Sequence, residues 1–204
     1  MDTRIGFGFD SHAFRPGVPL RIGGMTLDHP EGLAGHSDGD VLLHAVTDAL
    51  LGAVAAGDIG SFFPPGDPRW KDADSAIFLR TAIEEVQHAG FRIANVDVTL
   101  VLAAPKIGPI AADMRLRVAE LLQVEMNQVS IKAKTPEGLN LDHVAQCHAV
   151  ALVTRAREDE DLKSMSDEIE NQRQIEDVVD DLLTSVHGAP KKRNKPVYDT
   201  EDIT

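Results

Sequence analysis

The stretch His36 to Gly60, HSDGDVLLHAVTDALLGAVAAGDIG, constrains this chain most, because polar residues at both ends bracket an apolar run too alanine-rich and regular for a loop. Leu42, Leu43, Val46, Leu50 and Leu51 recur at helical spacing. Ser37 reads as the N-cap, with Asp40 three residues on as the capping-box acid, and Gly57 reads as the stop. On such a helix Asp40, His44 and Asp48 stand at i, i+4 and i+8 and form one polar line along a buried cylinder. Burying that line unpaired is costly. It implies either a metal or polar ligand, or a row of capped and solvent-facing residues.

The flanking segments supply a sheet and two more helices. Residues 4 to 14, RIGFGFDSHAF, alternate as a strand, and the period of two puts Asp10 and His12 on one face. Residues 20 to 27 resemble two short strands around Gly23-Gly24, and 28 to 35 read as loop. SFFPPGDPRW, with three prolines and a glycine, reads as an irregular surface loop. Asp74 or Ser75 caps a helix reaching Ala89, with Ile77, Phe78, Ala82, Ile83 and Val86 inward and Gly90 closing it. A β-branched strand follows at 91 to 103, then an amphipathic helix from Ile110 to Val124 with Met114, Val118, Leu121 and Leu122 inward. Strands at Val129 to Lys134 and Cys147 to Thr154 complete the series. The expected fold is α+β, a two-layer sandwich with one mixed β-sheet and helices on one face. The sheet's uncovered face points to an oligomer.

A chain of 204 residues accommodates one domain, here 1 to 155, with an extension from 156 to 204. The net charge is −13, but the extension carries 14 Asp or Glu against 7 Lys or Arg. In it Leu162, Met165, Ile169, Ile175, Val178, Leu182 and Val186 partly keep a helical rhythm, and the segment after Pro190 reads as disordered. Whether that helix is solvated, self-associates or has a partner stays open. An acidic chain with few aromatics and no basic stripe argues against nucleic acid as a partner. The single cysteine, Cys147, excludes an internal disulfide and fits a cytoplasmic protein. No apolar stretch reaches membrane-spanning length, and no signal or transit peptide is expected ahead of Arg4.

Asp10 and His12 from a strand and His44 from a helix supply one carboxylate and two imidazoles, a donor set that suits zinc with a fourth position open. Around them GFDSHAF, HSDGDVLLHAVTDALLGAVAAGDIG, FFP, NVDVTLVLAAPK and VSIKAKTPE fall in an order that resembles the 2-C-methyl-D-erythritol 2,4-cyclodiphosphate synthase family over residues 4 to 154. The resemblance implies conversion of 4-diphosphocytidyl-2-C-methyl-D-erythritol 2-phosphate into the cyclic diphosphate and CMP, in non-mevalonate isoprenoid biosynthesis. It implies a homotrimer whose active sites lie between subunits, zinc at Asp10, His12 and His44, and Mg or Mn on the substrate diphosphate with Glu137 as ligand.

By the same resemblance His36 and Thr135 contact the reacting phosphates, bordered by Ser11 and Ser37. A helix N-terminus at Ser37 would add N–H donors for an anion. Asp58, Ile59 and Gly60 match the segment that binds the erythritol hydroxyls, under a loop from Phe63 to Asp67. Ala103, Ala104, Pro105, Lys106 and Ile107, with Ala133, Lys134, Thr135 and Pro136, correspond to the cytidine pocket. Asp38 and Asp48 support the site from behind, where an acid can fix the His44 tautomer. The chain departs from the family in a shorter loop after Glu137 that lacks an arginine, in Pro65 where an acid is frequent, and in its extension. The shorter loop leaves open an axial isoprenoid-diphosphate contact. No cytidylyltransferase domain precedes Met1, so the monofunctional form is expected. Two competing readings are a metal-dependent phosphohydrolase and a catalytically silent trimer whose extension binds a partner.

Overall fold

The alternation of small and large residues in the first strand decides how the layers meet. The structure, a computed structural model, describes residues 2–156. The acidic extension, with its expected helix and disordered end, lies outside the described residues. Strand β1 (Thr3–Pro16) turns Gly6 and Gly8 inward and Ile5, Phe7 and Phe9 outward, where they are 69%, 61% and 44% exposed. Helix α1 (Val41–Ala53) lies directly on the glycine side. A Cβ at Gly6 would stand 1.8 Å from the Ala49 carbonyl oxygen, and one at Gly8 1.9 Å from that of Ala45. Only glycine permits that approach, and it brings the backbone of α1 against the strand.

The two elements run in step. Two strand residues advance about 6.7 Å and four helix residues about 6 Å, so Gly6 meets Ala49, Gly8 meets Ala45, and Asp10 falls beside the helix start. His44 is thereby delivered to Asp10 and His12.

The main sheet has the order β4-β1-β7-β5-β6, with β4 (Glu31–Leu33), β5 (Phe91–Val101), β6 (Val129–Lys134) and β7 (Val144–Arg155). Only β5 and β6 pair in parallel, which makes the sheet mixed as expected. Strands β2 (Leu20–Ile22) and β3 (Met25–Leu27) form a separate hairpin. Helix α3 (Ser75–His88) packs on α1, and α4 (Ala111–Leu122) on α3 and β6. A short helix, α2 (Ile59–Phe62), follows α1. The core runs from Leu42, Leu43 and Leu50 of α1 through Val96, Val98 and Leu100 of β5 to Met114 and Val118 of α4, all fully buried. Among the described residues no helix is long and apolar enough to cross a membrane.

Several expectations are corrected. Helix α1 begins at Val41, and its N-cap is Asp40, whose carboxylate accepts from the N–H groups of Leu42 and Leu43. Gly39, with φ of +75°, keeps Ser37 out of the helix. The helix ends at Ala53, ahead of the predicted Gly57. Asp40 also accepts from the N–H groups of Gly23 and Gly24 at 2.9 and 2.7 Å, so a fully buried carboxylate joins the helix start to the β2–β3 turn. The span 28 to 35 contains β4, too short to alternate but paired with Phe14–Pro16. Ile77 is exposed, on the solvent side of α3. The proline-rich loop is partly ordered by α2 and a 3-10 turn at Pro68–Trp70 capped by Asp67.

Candidate metal centre and its neighbouring cavity

Asp10, His12 and His44 converge as their positions predict. Asp10 Oδ2 lies 2.8 Å from His12 Nε2 and 2.9 Å from His44 Nδ1, and the two nitrogens are 3.1 Å apart. A tetrahedral zinc bound at about 2.0–2.1 Å separates its ligand atoms by about 3.3 Å. The observed triangle is slightly smaller than that edge, and its carboxylate and two imidazoles are the donor chemistry zinc favours. Among the described residues these three form the one group of His, Cys, Asp or Glu side chains that could hold a metal ion.

The electrostatics of the trio follow from burial and pairing. Burial opposes charge on Asp10, but the rings of His12 and His44 outweigh it and hold the carboxyl well below the usual carboxylate range. Burial likewise opposes a charge on His44, and the Asp10 carboxylate overcomes it, with Asp40 and Asp38 adding, so the imidazole sits above its ordinary value.

Behind His44 lies a chain of hydroxyls and acids. His44 Nε2 is 2.8 Å from Ser75 Oγ and 3.0 Å from Ser37 Oγ. Ser75, fully buried in the first turn of α3, donates its hydroxyl proton to Asp38 Oδ1 and its backbone N–H to Asp38 Oδ2. Asp38 thus stands one hydroxyl behind the His44 ring. Asp48 instead accepts the Ile59 N–H at 2.8 Å and fixes the start of α2, in place of the expected support to that ring. Asp58 caps α2, accepting from the Ser61 N–H and hydroxyl, which lowers its carboxyl below the usual range. The start of α1 is no anion site, because Asp40 already occupies the Leu42 and Leu43 N–H groups with a carboxylate.

His12, His36, Ser37, His44, Ile59, Gly60 and Phe63 line one cavity of about 190 Å³, closed by Pro65, Trp70 and Phe78. Ser11, Asp58 and Asp67 lie outside its lining. His36 Nε2 donates to the Asp67 carbonyl oxygen at 3.0 Å, and the Asp72 N–H donates to the His36 carbonyl at 2.9 Å, so the loop is tied to the strand side of the cavity at two points. Phe63 packs on Phe78 and edge-on to Trp70, with ring centroids 4.4 and 4.9 Å apart.

A second cavity, of about 510 Å³, is lined by Ala103, Pro105, Lys106, Ile107, Ala133, Lys134 and Thr135, with Leu102 and Ile131 at its base. Ala104, Pro136 and Glu137 lie outside its lining. Thr135 donates its hydroxyl to the Glu137 carboxylate, and Glu137 has a left-handed φ of +50°. The two cavities share no lining residue, and Glu137 is not among the metal-capable trio.

Sequence reasoning missed Ser75, Trp70 and Phe78. From sequence Ser75 reads only as a helix cap, and no spacing rule connects it to His44, 31 residues away. Trp70 and Phe78 come from a proline-rich loop and a helix face whose ends the pattern did not place over the site.

The YgbB family pattern matches residues 3–154. Over 152 residues the chain is 62% identical to the 2-C-methyl-D-erythritol 2,4-cyclodiphosphate synthase of Koribacter versatilis (strain Ellin345), covering 74% of this chain and 98% of that protein. A solved 2C-methyl-D-erythritol-2,4-cyclodiphosphate synthase superposes with a TM-score of 0.70 at 40% identity, over 74% of this chain and all (100%) of that one. A form solved with CDP bound gives the same TM-score, 0.70, and the same coverage, 74% and 100%, at 39% identity.

Proposed function

The chain belongs to the YgbB family of cyclodiphosphate synthases, and from that premise we propose that it converts 4-diphosphocytidyl-2-C-methyl-D-erythritol 2-phosphate into 2-C-methyl-D-erythritol 2,4-cyclodiphosphate and CMP. In reaction class this is a phosphorus–oxygen lyase acting in non-mevalonate isoprenoid biosynthesis. The observation that carries the reading is the pair of cavities, one lined by His12 and His44 of the metal-capable trio and one of a size for a nucleotide. A relative solved with CDP bound supports cytidine diphosphate as the occupant of the larger one.

The reaction is an intramolecular phosphoryl transfer. The 2-phosphate oxygen attacks the β-phosphorus and CMP leaves, so catalysis consists of folding the substrate, aligning the phosphates and offsetting their charge. With zinc on Asp10, His12 and His44, and Mg or Mn on the diphosphate with Glu137, the site gains Lewis acidity at the reacting phosphoryl group and compensation of its charge. His36, whose Nε2–H is committed to the Asp67 carbonyl, lines the cavity in which the reacting phosphates sit. Thr135 releases its hydroxyl from Glu137 to a phosphate oxygen and stabilises the charge developing in the transition state. Ile59, held by Asp48, with Gly60 and Asp58 beside it, seats the erythritol hydroxyls. Phe63, Trp70 and Phe78 exclude water, so that the phosphate and not hydroxide is the nucleophile.

The two cavities have no common wall residue, which supports a homotrimer whose active site pairs the metal cavity of one subunit with the nucleotide cavity of the next. The uncovered face bearing Ile5, Phe7, Phe9 and Val150 is the apolar surface such an assembly buries.

The test is to incubate the purified full chain, with zinc and Mg or Mn, with the diphosphocytidyl substrate and follow CMP and cyclic diphosphate together, beside His44→Ala. Equal amounts of both products are expected, falling at least about 10³-fold in the variant, since metal polarisation of a phosphoryl group contributes several kcal/mol. CMP with a linear phosphate would make the protein a phosphohydrolase. Neither product from folded, zinc-loaded protein would make it a silent relative.

A further inference from the structure

The hydroxyl chain behind His44 divides labour between two serines that look equivalent by distance. A ring that offers Nδ1 to a metal carries its proton on Nε2 and can donate once there. Two oxygens compete for that proton, Ser75 Oγ at 2.8 Å and Ser37 Oγ at 3.0 Å. Their surroundings differ. Ser75 sends its own proton to Asp38 Oδ1, so toward His44 its oxygen can only accept, and the carboxylate makes it a better acceptor. Asp38 is itself held by the N–H groups of Ser75 and Asp40 and stands 3.8 Å from the Arg21 guanidinium. The chain thus ends in backbone at the first turn of α3, where Ser75 is fully buried. Ser37 also faces Nε2–H as an acceptor, which leaves its hydroxyl proton for the cavity it lines.

We propose that Ser75, backed by Asp38, is the positioning residue that fixes the His44 ring with Nδ1 free for the metal, while Ser37 is a ligand-facing hydroxyl with no part in metal affinity. The inference rests on the reading of Asp10, His12 and His44 as a metal site and goes beyond it to Ser75 and Asp38, which neither touch the metal nor line the cavity. Because α3 follows the loop that closes the cavity, the same hydrogen bonds tie the metal ligand to the base of that loop: the Asp38 N–H donates to the Ala73 carbonyl.

The test measures zinc affinity of the full chain by competition with a chromophoric chelator, and the visible spectrum of the cobalt-loaded form, for wild type, Ser75→Ala, Ser75→Thr and Ser37→Ala. Melting curves of the metal-free proteins report folding. Removing a partner of a metal-bound histidine weakens metal binding about 10–100-fold. Ser75→Ala should lose affinity in that range with an altered cobalt spectrum, Ser75→Thr should recover most of it, and Ser37→Ala should match wild type in both readouts. Wild-type affinity in Ser75→Ala, or an equal loss in Ser37→Ala, would overturn the assignment. So would a folded Ser75→Thr as weak as Ser75→Ala, since packing and not the hydroxyl would then be responsible. The parent reading fails separately, if wild-type zinc binding survives His12→Ala.

Discussion

His44 stands at the centre of the site at the residue scale, since one nitrogen of its ring faces Asp10 and His12 in the group that could hold a metal and the other faces two serine hydroxyls. Its titration gives a signed prediction. Burial opposes its charge and Asp10 more than offsets this, so in metal-free protein its folded value is raised. A raised imidazole stabilises the fold fully below the unfolded value of about 6.5, and the contribution is lost as pH rises through the higher folded value. For Asp10, burial is outweighed by the two histidines and the folded value is depressed. Its contribution is present above about 3.9 and lost as pH falls through the lower folded value. The pair therefore stabilises metal-free protein best between about pH 4 and 6.5. Zinc needs the neutral ring, so its stabilisation grows as pH rises. Melting curves from about pH 5 to 8 should show the metal-free midpoint falling across the upper half of that range and the zinc increment widening. A zinc increment independent of pH would contradict this.

Among the elements, β1 and α1 do most to build the site, and their fit was only partly legible in sequence. The period of two placed Asp10 and His12 on one face, and helical spacing placed His44 on α1. What the pattern could not show is that Gly6 and Gly8 let the helix backbone descend onto the strand, because close approach is a property of two elements together. Nor could it show that Asp40 is cap and cross-link at once, since its partners Gly23 and Gly24 lie in another hairpin. Ser37 has the side chain of a cap, yet Asp40 takes that place because Gly39 turns the chain with a positive φ. Gly8→Ala should push α1 outward, at a cost of about 1–3 kcal/mol typical of overpacking, and also weaken zinc binding by displacing His44. Denaturant unfolding and zinc titration check both. A variant that loses stability but binds zinc normally would mean that α1 and the metal site do not move together.

At the scale of the whole molecule, one face of the sheet is covered by helices and the other bears Ile5, Phe7, Phe9 and Val150 in the open. His148 sits among them, its ring 4.8 Å from that of Phe9. If the proposed trimer buries this face, Phe7→Glu places a charge in its middle and should shift the mass in solution from trimer toward monomer, abolishing turnover while zinc is retained. Unchanged mass would place the subunit contact elsewhere. The family motifs made the two half-sites readable as residues. Their separation into cavities without a shared wall is visible only in three dimensions, and it is what supports the proposed site between subunits. The most direct measurement co-expresses two differently tagged variants, His44→Ala to remove the metal half and Ala103→Trp to fill the nucleotide half, and assays the doubly selected trimers. Each mixed trimer leaves about one site in three with both halves intact, so activity should return to about a third of wild type although each variant alone is inactive. Mixed trimers no more active than their parents would show that each active site is built within one chain.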